Sequence, residues 1–355
     1  MNKYLSAKLK VVSFLLMIMV VFIHSVNISD KIVSGNIILE KGYSSFIQTF
    51  ISDGICLIAV PLFFAISGYL FFFNLEGTLD EFLSKYKKRL KTLLVPYLFW
   101  SIGILLFFFV LQLVPQTISL FSNRLISDYS SRELLRTIFL EPIPYQLWFL
   151  RDLMILVLVS PIILWLIKYL RVVALLIFGI TWYINFDYII FSNEALLFYF
   201  FGAAFGISKK KLLQIDFSKH SLIYISFWLL IVLIRTLLIH IEFQNILILN
   251  AFKCTGILTG IVAIWSLYDY MLKDKDLSKY KFYGFLSFSF FIYAFHLTVI
   301  NIIKKGGFNL FGKEELASLI IYITAPLLTI GLSIIVGYYL KRFVPKFYGL
   351  ITGGR

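Results

Sequence analysis

The chain has 355 residues, 60% of them hydrophobic and 15% charged, with a mean hydropathy of +0.89. Soluble domains are roughly half apolar and about a quarter charged, which excludes a soluble globule. It also excludes the nucleic-acid binder that a net charge of +14 would suggest in one. The apolar residues run in blocks near the ~20 needed for a bilayer-crossing helix, without the strand alternation of an outer-membrane barrel. The expectation is an all-α polytopic bundle forming one domain over residues 1–355.

In chain order, the hydropathy pattern predicts ten spans at 9–28, 52–74, 92–114, 146–167, 172–190, 194–208, 220–241, 246–268, 282–303 and 316–340. The first follows Lys3, Lys8 and Lys10 as a signal peptide would. Its apolar run is too long for one and no small-x-small site follows, so it reads as a retained helix. The sixth is short and contains "FFGAAFG". Between spans three and four, "SSRELLRTIFL" suggests a short interfacial helix capped by Ser131, with Glu133 and Arg136 one turn apart. Cys56 and Cys254 both lie in apolar segments and read as small core residues.

Lys and Arg orient the spans. With the N-terminus cytoplasmic, 22 of the 33 fall in inside segments, 8 in outside segments and 3 within spans. Both termini are therefore expected in the cytoplasm, and the basic charge is mainly a topology signal.

Ionisable residues inside spans are costly and commonly face a bundle interior or a polar path. His24, Arg151, Asp152, Asp187, Arg235, Lys253 and His296 all fall in the outer half of their predicted spans. Convergence at one depth points to a shared polar cavity, although each residue also has a plainer reading. A lone histidine can bridge two helices, and Arg235 and Lys253 can snorkel or pair with a carboxylate. Arg151 and Asp152 project about 100° apart as helix neighbours, so each is expected to need another partner. Asp152 could orient His24 or offset Lys253. Ser289, Tyr293 and His296 form one stripe, and His24 shares a face with Asn27.

Five stretches taken together resemble the integral-membrane acyltransferase 3 family, bacterial O-acyltransferases of surface glycans. They are "VVFIHS", "PLFFAISGYLF", "YKKRLKTLLVPYLFW", "LWFLRDLMILVLVSPII" and "LSFSFFIYAFH", in order along nearly the whole chain. The resemblance implies an acyl thioester such as acetyl-coenzyme A as co-substrate, with no permanently bound cofactor and no metal. It also implies a hydroxyl of a glycan or lipid-linked sugar as acceptor, and a multi-pass place in the bacterial cytoplasmic membrane. The family's basic residue eleven positions before the first-span histidine is Ser13 here, and Lys10 lies near that face. Lys88 and Lys91, with Arg89 between them, keep the spacing of its Arg-x-x-Arg pattern.

On this reading His24 is the general base, with His296 in the same catalytic group. Asp152 orients an imidazole, and Arg151 stabilises an oxyanion or binds an anionic substrate. Lys88, Arg89, Lys91 and Lys10 hold the phosphates of the acyl donor. Tyr293, Ser289, Trp148, Arg235, Lys253 and Asn27 are candidates for the pocket wall. The acyl group expected is acetyl or succinyl. The main rival is a transporter or flippase of a glycan or lipid-linked sugar, which ten spans with buried charges also fit. A membrane sensor or scaffold is a third class, one that has no need of a base and a cation in one cluster. "ISGYL", with Ser67 and Gly68, allows either close helix approach or ordinary packing.

Overall fold

The computed structural model describes all residues except 1, 29–30, 34–35, 39–40, 119–123, 187, 189–190, 209–214, 281 and 355. For 31–33, 36–38, 117–118 and 278 it describes the backbone alone. Asp187 and the predicted inside residues Lys209, Lys210, Lys211, Lys281 and Arg355 thus lie outside the described residues.

The protein is an all-helical membrane bundle with one small antiparallel hairpin, Lys31–Val33 against Asn36–Ile38. Among the described residues, seven helices are long and apolar enough to cross a bilayer: Lys3–Ile23, Tyr43–Phe72, Leu79–Gln112, Ser218–His240, Ile246–Leu272, Phe282–Phe311 and Glu315–Phe343. Tyr145–Leu158 and Ser160–Tyr169 pass the same test as a broken pair, and Arg171–Tyr183 and Asn193–Ile207 are shorter apolar helices. The break falls at Val159, just before Pro161; proline has no N–H and is tolerated in the first turn of a new helix.

Of the ten predicted spans, seven have a helix of crossing length among the described residues and the fourth is the bent pair, while the fifth and sixth have only the two shorter helices; the other differences lie at the edges. The first helix stops at Ile23 rather than 28, so His24 is its C-cap residue. The second begins at Tyr43, nine residues before the predicted edge, because its first turns carry Ser44, Gln48 and Ser52 and escape a hydropathy reading. The third gains a polar lead-in, Leu79–Arg89, whose Thr78 and Glu81 form a capping box.

The described chain forms two compact units, although no linker marks a division in the sequence. The first comprises Met1–Leu75 and Ile162–Ile334, the second Glu76–Pro161 and Ile335–Arg355. In the first unit, the Ala59–Phe72 and Asn193–Ile207 helices touch backbone to backbone. A Cβ on Gly68 would come within 2.1 Å of the Tyr199 carbonyl oxygen, and one on Gly202 within 1.9 Å of the Ala65 carbonyl oxygen. Glycine is what allows this contact, as small residues generally do between membrane helices. Cys56 and Cys254 are buried and free.

In the second unit, one turn of π-helix, Leu90–Leu94, joins the polar lead-in to Val95–Gln112. Pro96 explains it: a proline there cannot donate to residue 92 and would collide with its carbonyl in a regular helix. The wider turn removes the conflict, and the Val95 N–H bonds the Leu90 carbonyl instead. The basic run Lys88, Arg89, Lys91 lies at this join. The short helix Ser131–Phe139 is capped by Ser130 rather than Ser131, with Glu133 closing the capping box. Glu133 also holds Arg124 at 2.7 Å, while Arg136 reaches Glu141 at 2.7 Å and not Glu133. Hydrogen bonds from Ser130 and the nearby Arg124 hold the Glu133 carboxyl below the usual range.

Candidate active site

His24 and His296 come together in the first unit, their ring centroids 5.2 Å apart and tilted by 44°. His296 is fully buried on Ser289–Phe311. Its Nδ1 lies 2.8 Å from the Tyr293 carbonyl oxygen and 3.1 Å from that of Ile292. Only an N–H can face two carbonyls, so Nδ1 carries the hydrogen and a neutral ring keeps its lone pair on Nε2. That buried Nε2 has no hydrogen-bond partner among the described residues. Buried polar atoms are nearly always paired, so an exception calls for an explanation.

The helix end presenting His24 is tied down by side chains. The last carbonyls of any helix lack partners within it. Here Ser52 Oγ bonds the Phe22 carbonyl at 2.8 Å. Lys304 Nζ bonds the carbonyls of His24 at 3.2 Å and Val26 at 2.7 Å. Because Ser52 donates to Phe22, the Tyr322 hydroxyl 2.8 Å away must donate to Ser52. Ser25 Oγ in turn donates to the Tyr322 carbonyl at 2.7 Å. Lys304 lies two turns beyond His296 on the same helix face, so one face supplies both an imidazole and the cation that holds its neighbour's backbone.

Three residues further along the chain, Asn27 begins a second polar group. Its Oδ1 accepts from Gln48 Nε2 at 2.8 Å and from Ser318 Oγ at 2.7 Å, and Gln48 Oε1 accepts from the Asn27 N–H at 3.0 Å. Glu315 Oε1 accepts the Ser44 N–H at 2.9 Å, which places its charge at the start of the Tyr43 helix, where the dipole favours an anion. These residues, with Ile28, Lys41, Ser45, Phe308 and Lys313, line a cavity of about 450 Å³.

The other predicted site residues have separate fates. Tyr293 contributes its carbonyl to His296, and Ser289 Oγ bonds the Leu286 carbonyl at 2.8 Å. Arg235 donates to the Asp53 carboxylate at 2.9 Å and to the Asp53 carbonyl. Lys253 is within electrostatic reach of Glu194. Lys10 is exposed, with its ammonium 5.5 Å from the Tyr283 ring centre. In the second unit, Trp148 opens the Trp148–Leu158 helix. Arg151 Nε and Nη2 reach the buried Asp152 Oδ1 at 3.0 and 2.8 Å, while Nη1 bonds the Leu140 carbonyl at 2.6 Å. The helix neighbours thus pair after all, because the long guanidinium stem spans the angle between them. Lys88 and Lys91 are exposed and Arg89 half-buried.

Sequence reasoning missed Lys304, Gln48, Ser52, Glu315, Ser318 and Tyr322. The signal was present as two polar stripes, 44/48/52 and 315/318/322, at helical spacing. It also missed the other end of the first helix. Lys8, counted above as a topology charge, is fully buried in a 2.5 Å ion pair with Asp269. Tyr4 Oη also donates to that carboxylate, and the Phe217 N–H does so at 3.2 Å. The Trp265 ring lies 4.2 Å from the Lys8 ammonium.

Comparisons with known proteins converge on one family. Residues 7–340 match Acyl_transf_3, described as an acyltransferase domain. The succinoglycan biosynthesis protein ExoH of Rhizobium meliloti (strain 1021) is 26% identical over 371 residues, covering 100% of this chain and 94% of that protein. No solved structure matches. The match spans both units and every residue of the histidine site, and from it we conclude that this chain belongs to the acyltransferase 3 family and is a multi-pass membrane acyltransferase.

Proposed function

We propose that the protein transfers an acetyl or succinyl group from an acyl-coenzyme A thioester to a hydroxyl of an exported or lipid-linked glycan, at the His24–His296 pair. The observation that carries this reading is the apposition of two imidazoles, one of them fixed with a bare, buried ring nitrogen, in a chain of an acyltransferase family. The name of the relative in succinoglycan biosynthesis supports a glycan as acceptor. Residence in the bacterial cytoplasmic membrane follows the family, and the orientation with both termini inside rests on the distribution of Lys and Arg.

His24, half-buried at its helix end, takes the proton from the acceptor hydroxyl. The freed oxygen forms the new C–O bond with the thioester carbonyl, the C–S bond breaks, and the imidazolium returns its proton to the leaving thiolate. The products are an ester and free coenzyme A. His296 Nε2 accepts the second ring N–H of His24 while that ring is charged, and so holds it in register. General base catalysis of this kind contributes about 10²–10⁴-fold. Lys304 is a positioning residue, fixing the backbone that carries His24. Lys88, Arg89 and Lys91 bind the donor's phosphates as point charges or, for Arg89, as a fork.

The test is mass spectrometry of a glycan incubated with purified protein and acyl-coenzyme A. An added acyl mass, lost in His24→Ala, is the expected result. Transfer undiminished by His24→Ala would remove that residue from the reaction. Movement of unmodified glycan across liposomes with no acylation would replace the reading by a flippase.

A further inference from the structure

The cavity beyond the histidine pair has walls that select one kind of occupant. We propose that the cavity faced by Asn27, Ser45, Gln48, Phe308, Lys313 and Ser318 is the acceptor site, and that it takes a sugar bearing a single carboxylate. This rests on the acyl-transfer reading above and names its substrate class.

The cavity of about 450 Å³ falls within the roughly 300–1,000 Å³ of small-molecule sites. Its wall sets one aromatic ring, Phe308, among amides and hydroxyls. A pyranose has the matching halves, an apolar C–H face and a polar rim. Ser45 is buried and its Oγ has no hydrogen-bond partner among the described residues. A buried hydroxyl in that state is completed by a partner from elsewhere, and a sugar hydroxyl supplies one. Asn27 follows His24 by three residues, so the cavity wall begins within about 11 Å of the His24 backbone, the most that three residues can span.

The charges fix the occupant's sign and size. Glu315 is bonded at the start of the Tyr43 helix, and Lys41 pairs with Glu242 at 3.0 Å. Lys313 makes no ion pair among the described residues and is exposed at the cavity. One uncommitted cation matches one carboxylate. A phosphate monoester, with about 1.5–2 negative charges near neutral pH, would exceed it and be repelled by Glu315 more strongly than a single carboxylate is.

Calorimetry on the full chain in nanodiscs compares cellobiouronic acid, cellobiose and glucose 1-phosphate. The acid is expected to bind about tenfold tighter than the neutral disaccharide at low salt, as one charge-assisted contact would give. That advantage should shrink in about 0.5 M salt. Lys313→Met should abolish the advantage, weakening the acid far more than cellobiose, and Phe308→Ala should weaken both disaccharides. Lys313 is exposed, so its replacement does not threaten folding. Equal binding of acid and neutral sugar overturns the proposal. So does an advantage that survives Lys313→Met, indifference to Phe308→Ala, or tighter binding of glucose 1-phosphate. His24-dependent transfer to acidic and neutral acceptors at equal rates would also overturn it while leaving the transferase reading intact. Absence of transfer to any glycan would instead sink the transferase reading, which the binding comparison does not depend on.

Discussion

The two ends of the first helix both bury ionisable side chains, and they treat them in opposite ways. At the Lys8 end the ammonium, the Asp269 carboxylate, a tyrosine hydroxyl and a backbone N–H close on one another beside a tryptophan ring. At the His24 end, about 24 Å along the axis, a buried ring nitrogen is left without a partner among the described residues and a cavity adjoins. A closed cluster holds helices together, and an open one has capacity left for a substrate. Burial alone does not separate structural from chemical residues; the separation comes from counting which donors and acceptors are already used.

Substitution can sharpen that contrast. The largest expected effect is on chemistry: His296→Ala should lower acyl transfer about 10²–10⁴-fold with the protein still folded in the membrane, as judged by its elution and melting. The reverse pattern is expected at the other end. Lys8→Met alone leaves a buried carboxylate without its cation and should cost about 3–5 kcal/mol of stability, with turnover per folded molecule unchanged. The double variant Lys8→Met/Asp269→Leu should regain part of that loss, because an apolar pair of similar volume is often as stable as a buried ion pair, while the Tyr4 hydroxyl and the Phe217 N–H lose their acceptor. If Lys8→Met instead abolished turnover while the melting temperature held, the closed cluster would be catalytic and the contrast would collapse.

Lys304→Met should give a smaller, kinetic effect, lowering kcat about tenfold with KM little changed, because His24 keeps its ring but loses its backbone tether. Lys304→Arg should recover part of the rate. A change confined to KM would place Lys304 in binding rather than positioning. The smallest effect lies outside the spans. Lys273, with help from Ser218, holds the Asp216 carboxyl well below the usual range. Its contribution to stability is therefore complete above the unfolded value of about 3.9. It is lost as pH falls through the lower folded value. Asp216→Asn should lower the plateau above pH ~5 slightly and flatten the acid limb, so that the two unfolding profiles converge at low pH.

Much of the fold was legible because a bilayer demands long apolar helices, and the blocks of Leu, Ile, Val and Phe announce them. The edges were not. A hydropathy reading loses a helix wherever its first turns are polar, as at Ser44, Gln48 and Ser52. It also overruns one that ends at a buried side-chain cap, as at His24. Of the site, the histidines were visible as imidazoles in apolar surroundings and as part of a family resemblance. Their meeting depends on packing between helices almost three hundred positions apart, which periodicity does not encode. Arg235 misled for the opposite reason: its depth resembled that of the histidines, yet Asp53, at the end of a different helix, takes its charge. Lys8 was hidden by position, since a lysine near a cytoplasmic end is ordinarily a topology residue.

The central claim is that His24 and His296 act as one proton-handling unit. The most direct measurement is the acyl-transfer rate of His24→Ala, His296→Ala and the double variant in the same membrane mimic. Residues that act together are grossly non-additive, so the double variant is expected to be no slower than the worse single one. Multiplying effects would contradict the account, as would full activity in either single variant.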